Sequence, residues 1–171
     1  MLYRKTDYYY DPEILRLELE KYIPYFNQMD QLSIKFDPHK NLNELPHYQC
    51  IGRSPSDILD WNFTEICPIF KNSKFLNILS NLKESTKRIR LMRIKPRSCY
   101  SFHYDTYRRL HWALLTFPEC HMSFQSSVNN EFTGFHIPAD GFGYWTDTKI
   151  KHTAVNPTME YRYHLVIDII E

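Results

Sequence analysis

Glycine is scarce, with four in 171 residues. Neither GxGxxG nor GxxxxGK[ST] occurs, so the chain lacks the glycine-rich loops that cradle phosphates. No apolar run approaches the ~18 residues that span a membrane. The N-terminal stretch MLYRKTDYYYDPE has no apolar core of a signal peptide. Charge imbalance is missing too: 21 Lys+Arg against 20 Asp+Glu leave a net +1, which singles out neither nucleic acid, nor a membrane, nor an acidic partner. The four cysteines (Cys50, Cys67, Cys99, Cys120) stand far apart with no CxxC. That spacing excludes a disulfide framework and a zinc ribbon, and reads as free thiols in a reducing compartment, the cytoplasm. What is present is a globular composition, 43% hydrophobic and 24% charged, which excludes a disordered chain. The length suits one domain, residues 1–171, able to bury its own core.

The pattern divides this domain into two parts. Residues 1–86 read as helical or irregular. Asp11-Pro12 is a helix start, with Asp as N-cap and Pro in the first turn. Apolar residues then recur at Ile14, Leu15, Leu17, Leu19, Tyr22, Ile23 and Phe26, and Pro24 ends or bends the helix. Residues 30–70 carry Pro38, Pro46, Pro55 and Pro68 and read as loop, with a short strand at His47–Ile51. A second helix is expected over Ser73–Lys83. From 87 onward the pattern becomes short strands: 88–95, 100–104, 109–116, 121–124, 132–137, 143–145, 149–155 and 161–170. Strands so spaced predict a β-sandwich or small barrel. Nine basic residues lie between Lys83 and Arg109 against Glu84 and Asp105, and read either as a solvated sheet face or as a pocket for an anion.

His103-Tyr104-Asp105 sits in a predicted strand, where residues two apart point to one face. A lone H-x-D is weak, because a strand histidine is usually structural. Two ligands also under-hold a metal, so a third is expected from a neighbouring strand, and His152 is the natural candidate. Two histidines and one carboxylate form the facial triad typical of non-haem Fe(II) oxygenases. Arg162 lies ten residues beyond His152. If 152–164 is a hairpin centred near Thr158, Arg162 is a near-diagonal neighbour of His152 across the ladder. A guanidinium there suits a co-substrate that chelates iron at one end and carries a carboxylate at the other. Arg109 and His111 alternate on one face and are expected in the same cavity, touching the co-substrate or the substrate. If Arg90, which shares a face with residues 88 and 92, points inward, it meets a substrate carboxylate.

The stretches RLMRIKPRSCYSFHYD, RRLHWALLT, FHIPADGFGYW and DTKIKHTAVNPTMEYRYHLVID resemble the aspartyl/asparaginyl β-hydroxylase family of Fe(II)/2-oxoglutarate dioxygenases, which includes proline hydroxylases acting on the free amino acid. The likeness runs over about residues 88–169: H-x-[DG], R-x-H, a Gly–aromatic stretch, H-x-x-x-N, then Arg ten residues after the second His. It departs from the family where Pro-Gly commonly precedes the metal strand, reading Pro96-Arg97. The resemblance implies a mainly β fold, a double-stranded β-helix (jelly roll) with N-terminal helices. It implies His103, Asp105 and His152 as iron ligands and catalytic centre, and Arg162 with His111 on 2-oxoglutarate. It leaves Arg109 and Arg90 for the substrate, an amino acid or a peptide or protein side chain. Fe(II), 2-oxoglutarate and O2 are the implied cofactors, with succinate and CO2 released on hydroxylation.

Around this centre, Trp145 reads as core or pocket wall, and Asp147 as a support for a metal histidine or a turn cap. His164 reads as a core residue or a hydrogen-bonding neighbour of Arg162, Asn156 as a turn residue before Pro157, and His136 as lying near the cavity mouth. Two other function classes stay open. One is a jelly-roll domain that binds metal or ligand without oxidation. The other is a nucleic-acid module using the basic run, which the small net charge and the acidic N-terminal helix disfavour.

Overall fold

A computed structural model describes residues 1–27, 29–39 and 62–170. In chain order the elements are β1 (Tyr3–Tyr9), α1 (Pro12–Glu20), a 3-10 turn (Ile23–Asn27), β2 (Gln31–Ser33), β3 (Lys35–Phe36), β4 (Glu65–Ile66), a second 3-10 turn (Pro68–Phe70) and α2 (Phe75–Ser80). The strands β5 (Thr86–Ile94), β6 (Ser98–Cys99), β7 (Arg108–Leu115), β8 (His121–Gln125), β9 (Phe132–Phe135), β10 (Phe142–Thr146), β11 (His152–Asn156) and β12 (Arg162–Ile169) follow. The larger sheet runs β1-β10-β7-β12-β5-β2, the smaller β6-β11-β8-β9, and every strand pair is antiparallel. Two facing antiparallel sheets of this kind form the expected jelly roll.

The larger sheet has two unlike faces because its three central strands alternate. On one side Ile89, Leu91, Leu110, Trp112, Leu114, Leu165 and Ile167 pack against Leu15, Leu19, Phe26, Phe70 and Phe75, the apolar stripe of the helical layer. On the other side the same strands present Arg88, Arg90, Met92 and Ile94 (β5), Arg109 and His111 (β7), and Arg162, His164 and Val166 (β12) to a cavity. Beyond the cavity, Met122, Phe124, Phe135, Ile137 and Tyr144 close the space between the sheets. Asp11 caps α1 as its sequence indicates, accepting from Glu13 N and Ile14 N.

Three expectations are corrected. Residues 1–86 are not only helical or irregular: β1 pairs with β10, and β2 pairs with β5. An exposed, tyrosine-rich pattern hides β1, and β2 is only three residues long. The second helix is only Phe75–Ser80 rather than Ser73–Lys83. Most consequentially, 152–164 is no hairpin. β11 pairs with β6 and β8, while β12 pairs with β5 and β7, so the intervening turn crosses from one sheet to the other. Buried Asn156 builds that corner. Its amide donates to the carbonyls of Ile94, Lys95 and Glu160, and its Oδ1 accepts from Thr158 N and Oγ1. The expected strand His47–Ile51, with Cys50, lies outside the described residues, and Cys67, Cys99 and Cys120 are free thiols. Arg97, where the family commonly has Gly, takes φ +50°, the left-handed conformation that glycine favours. Among the described residues, no helix is long and apolar enough to cross a membrane.

Replacing Asn156 by Ala strands three carbonyls at the corner. The expected cost is about 2–4 kcal/mol, read as a fall in Tm of roughly 5–15 °C.

Candidate metal centre

His103, Asp105 and His152 each offer one ligand atom, and these atoms lie within 4.8 Å of one another. The convergence is made by the backbone. His103 and His152 exchange both main-chain hydrogen bonds, 3.0 and 2.9 Å, as an isolated antiparallel pair. Asp105 N then bonds Thr148 O at 2.9 Å. The expected strand 100–104 is therefore not regular: it touches the β11 region at single points, and the H-x-D triplet lies outside any strand.

The side chains are set up as ligands. His103 Nδ1 lies 2.7 Å from Ser101 O and His152 Nδ1 2.9 Å from Ile150 O. A carbonyl only accepts, so each Nδ1 carries the proton and each Nε2 keeps its lone pair. His152 Nε2 is 3.2 Å from Asp105 Oδ2, and His103 Nε2 is 3.9 Å from Asp105 Oδ1. Burial alone would raise the Asp105 carboxyl, but Arg109, then His152, more than offset it and hold it below its usual range. Arg109 Nη2 donates to Asp105 Oδ1 at 2.7 Å. Asp105 Oδ2 is buried without a hydrogen bond of good geometry, although Arg109 Nη1 and His152 Nε2 are close. Two imidazole Nε2 atoms and a carboxylate oxygen without an aligned donor, all at one point, fit a divalent transition metal.

The cavity beside this point measures about 420 Å³. Buried Arg162 lines it, and its Nε donates to His164 Nε2 at 2.9 Å, while Nη1 reaches the His121 and Val155 carbonyls at 3.4 and 3.5 Å. No carboxylate of the described residues pairs with it. Burial pushes its guanidinium down to about 10, which still leaves it cationic at neutral pH. His164 accepts that bond as a neutral imidazole, because burial and then Arg162 depress it well below the ordinary range. His111 is likewise buried and held neutral, by burial and then by Arg109 and Arg162, and its Nε2 has no partner.

Arg109 and Arg90 both line the cavity, and both are paired within the chain. Arg109, expected to touch the co-substrate or the substrate, has two carboxylate partners within the chain: Asp105, and Asp168 through Nε at 2.9 Å. Arg90 does face the cavity, and its Nη2 bonds Asp168 Oδ1 at 3.0 Å. Arg88 Nε completes the cluster at 2.8 Å on Asp168 Oδ2. Asp168 is the residue that sequence reasoning missed. It sits six positions after Arg162 on the same strand face, opposite Arg109, and a lone acid in RYHLVID was its only signal. Burial would raise its carboxyl, but Arg90, Arg109 and Arg88 outweigh that and hold it far below the usual range. Gln31 and Tyr100 also line the cavity without having been foreseen. Asp147 supports no histidine; it pairs with Arg108 at 3.1 Å. Trp145 packs on the main core under Arg4 and Arg108, and His136 Nδ1 meets Cys120 O at 2.6 Å.

No protein-family model and no curated protein sequence matches the chain. Solved structures do. A prolyl-4-hydroxylase of Pseudomonas putida superposes with TM-score 0.57 at 8% identity, over 98% of this chain and 91% of that one. AviO1 from Streptomyces viridochromogenes Tue57 gives 0.55 at 14%, over 99% and 90%. The viral collagen prolyl hydroxylase vCPH from Paramecium Bursaria Chlorella virus-1, in its 2OG complex, gives 0.51 at 13%, over 99% and 96%. The chain spans 47% of the length of a 2OG-Fe(II) oxygenase family oxidoreductase from Burkholderia pseudomallei, and likewise 47% of EvdMO1. At these identities the likeness shows a shared fold, the jelly roll that the sheets themselves display.

Removing either histidine ligand, as His103→Ala or His152→Ala, is expected to abolish stoichiometric Mn(II) or Fe(II) uptake measured by anaerobic dialysis; unchanged uptake in both contradicts the centre. Arg109→Ala is expected to weaken metal uptake as well, because it frees the Asp105 carboxylate, an effect that a residue touching substrate alone would not have. Asp168→Asn leaves three guanidinium groups without their shared anion. The cost expected for such a broken buried pair is about 3–5 kcal/mol, or roughly 6–20 °C in Tm. Because the folded-state pKa of Asp168 is depressed, its stabilisation is complete above the unfolded carboxylate value of about 4. It is lost as pH falls from there through the depressed value, so the gap between parent and variant closes in acid.

Proposed function

We propose that the protein is an Fe(II)- and 2-oxoglutarate-dependent dioxygenase of the aspartyl/asparaginyl β-hydroxylase kind. It hydroxylates a C–H bond of an amino acid, or of an acidic or amide side chain in a peptide or protein, and releases succinate and CO2. The observation that carries this reading is the pairing of the His103–Asp105–His152 centre with a buried arginine lacking a counter-ion. Arg162 Nη1 lies beside the Val155 carbonyl, three residues along β11 from His152. Three strand residues are roughly 10 Å. A five-carbon dicarboxylate, about 5 Å between its end carbons, with a contact of roughly 2–3 Å at each end, bridges a gap of that order. Shared fold with enzymes named as prolyl hydroxylases supports the same reading.

When bound, ferrous iron with 2-oxoglutarate supplies the oxidation of a C–H bond by dioxygen. The chain's own residues do the rest. The Ser101 and Ile150 carbonyls fix the tautomers of His103 and His152, so that Nε2 faces the metal position. Arg109 keeps Asp105 ionised and oriented. Arg162 grips the far carboxylate in a planar fork, and neutral His164 holds that fork in place. His111, with its unpartnered Nε2, is placed to hydrogen-bond the metal-proximal end. Met92, Ile94, Met122, Ala154 and Val166 wall the co-substrate's methylenes from water. The three free thiols suit the reducing cytoplasm.

The reading is tested by succinate release with Fe(II), 2-oxoglutarate and O2, against a panel of amino acids and peptides. Succinate formed only when iron is present is the expected outcome; none with any compound contradicts it and leaves a domain that binds without oxidising. Arg162→Gln is expected to raise the KM for 2-oxoglutarate by about tenfold or more, the loss of about 1.4 kcal/mol of binding, while metal uptake persists. A 2-oxoglutarate titration like the parent's places the carboxylate clamp elsewhere.

A further inference from the structure

The cavity has a second cationic end, at Arg88 and Arg90. Along β12, Arg162 stands opposite Ile94 of β5, and Val166 stands opposite Arg90. Four strand residues separate these positions, roughly 13 Å. That is longer than the roughly 10 Å that a dicarboxylate between Arg162 and the metal would span. Arg90 and its neighbour Arg88 point into the cavity from alternate positions of β5. They share one carboxylate, Asp168, and that carboxylate also serves Arg109. The local balance is thus short of negative charge: among the described lining residues, Asp105 is the one acid, and Arg109 already engages it.

The donors themselves record the shortage. Arg88 Nη1 and Arg90 Nε are buried and have no hydrogen-bond partner. Arg90 Nη1 makes only a 3.3 Å bond, to Gln31 Oε1 on β2. Unpartnered guanidinium N–H groups are costly to bury, and their planar fork matches a carboxylate. We propose that Arg88 and Arg90, with Gln31 beside them, form a subsite that takes a carboxylate of the substrate. The subsite belongs to the same cavity as the metal centre and rests on the dioxygenase reading above. The chain of contacts Asp105–Arg109–Asp168–Arg90 sets its place: the anchor is three ion pairs from the carboxylate of the proposed centre. A substrate fastened there presents a carbon near its acid group to the centre. This narrows the substrate to a carboxylic acid of amino-acid size, free or at the end or side chain of a peptide.

The test uses the whole chain loaded with Mn(II) and 2-oxoglutarate, which does not turn over. N-acetyl amino acids and their matching primary amides are added at millimolar concentration, and O-phosphoserine beside serine. The readout is the Mn(II)-induced broadening of each compound's proton resonances, which reports binding inside the cavity rather than on the surface. Acids are expected to be broadened, with their amides at least about tenfold weaker, a difference of about 1.4 kcal/mol. Arg90→Gln is expected to erase that preference. Arg88→Gln, nearer the rim, is the second variant should the first fold poorly, and bound Mn(II) in the same samples reports whether the centre is intact. Equal broadening of acids and amides, no acid broadened at all, a preference for the phosphate compound alone, or an acid preference that survives both substitutions overturns the subsite. A parent protein that takes up neither Mn(II) nor 2-oxoglutarate overturns the dioxygenase reading, and the subsite with it. Normal uptake without acid preference overturns the subsite alone.

Discussion

Four guanidinium groups, Arg88, Arg90, Arg109 and Arg162, are buried on the inner face of the larger sheet, and each must be answered by negative charge. That requirement organises the interior. Asp168 answers three of them, and Asp105 shares the third. Arg162 is answered by no carboxylate among the described residues, and only neutral acceptors, His164 and two carbonyls, surround it. An interior arranged this way is complete only when an anion enters beside Arg162. That unanswered charge is what the proposed co-substrate carboxylate would neutralise.

The same arrangement ties the proposed metal ligands to the sheet. Asp105 lies outside any regular strand, so nothing in the backbone ladder alone sets its rotamer. Arg109 does, and Arg109 is held from behind by Asp168 on the adjacent strand. The histidines are oriented differently, by carbonyls two residues earlier in their own chain segments. Phe124 stacks on His152 at 5.5 Å and fixes the ring from below. The smaller sheet supplies the histidine of β11, the larger supplies the arginines, and Asn156 fastens the corner by which one strand leaves the first sheet and the next joins the second. Separating His152 and Arg162 onto two sheets lets them face each other across a gap rather than lie side by side.

Local patterns in the sequence carried some of this and not the rest. The alternation of β5, β7 and β12 was legible, since Arg88/Arg90, Arg109/His111 and Arg162/His164 stand at strand spacing within otherwise apolar runs. So was the pairing of His103 with a distant histidine, because a metal needs a third ligand and His152 opens a β-rich segment. The hairpin between His152 and Arg162 was misread, because a turn sequence such as Asn156–Glu160 looks alike whether it joins partners in one sheet or crosses between two. That choice is set by which other strands compete for the edge, and those contacts are long-range. The internal pairing of Arg109 was not legible for a related reason: its partner Asp168 is 59 residues away in sequence, and only the register of β7 against β12 brings them together. Edge strand β1 is hard to read because it buries little, and β2 because three residues show no period.

The central claim is that metal and 2-oxoglutarate share one site, with the ligand triad at one end and Arg162 at the other. Thermodynamic linkage measures that directly. The affinity of the protein for 2-oxoglutarate is determined with and without Mn(II), and that for Mn(II) with and without 2-oxoglutarate, by equilibrium dialysis. The account predicts mutual strengthening by one and the same factor, of about tenfold or more, the coupling of about 1.4 kcal/mol that direct contact between two ligands supplies. Affinities that are each indifferent to the other ligand would contradict it.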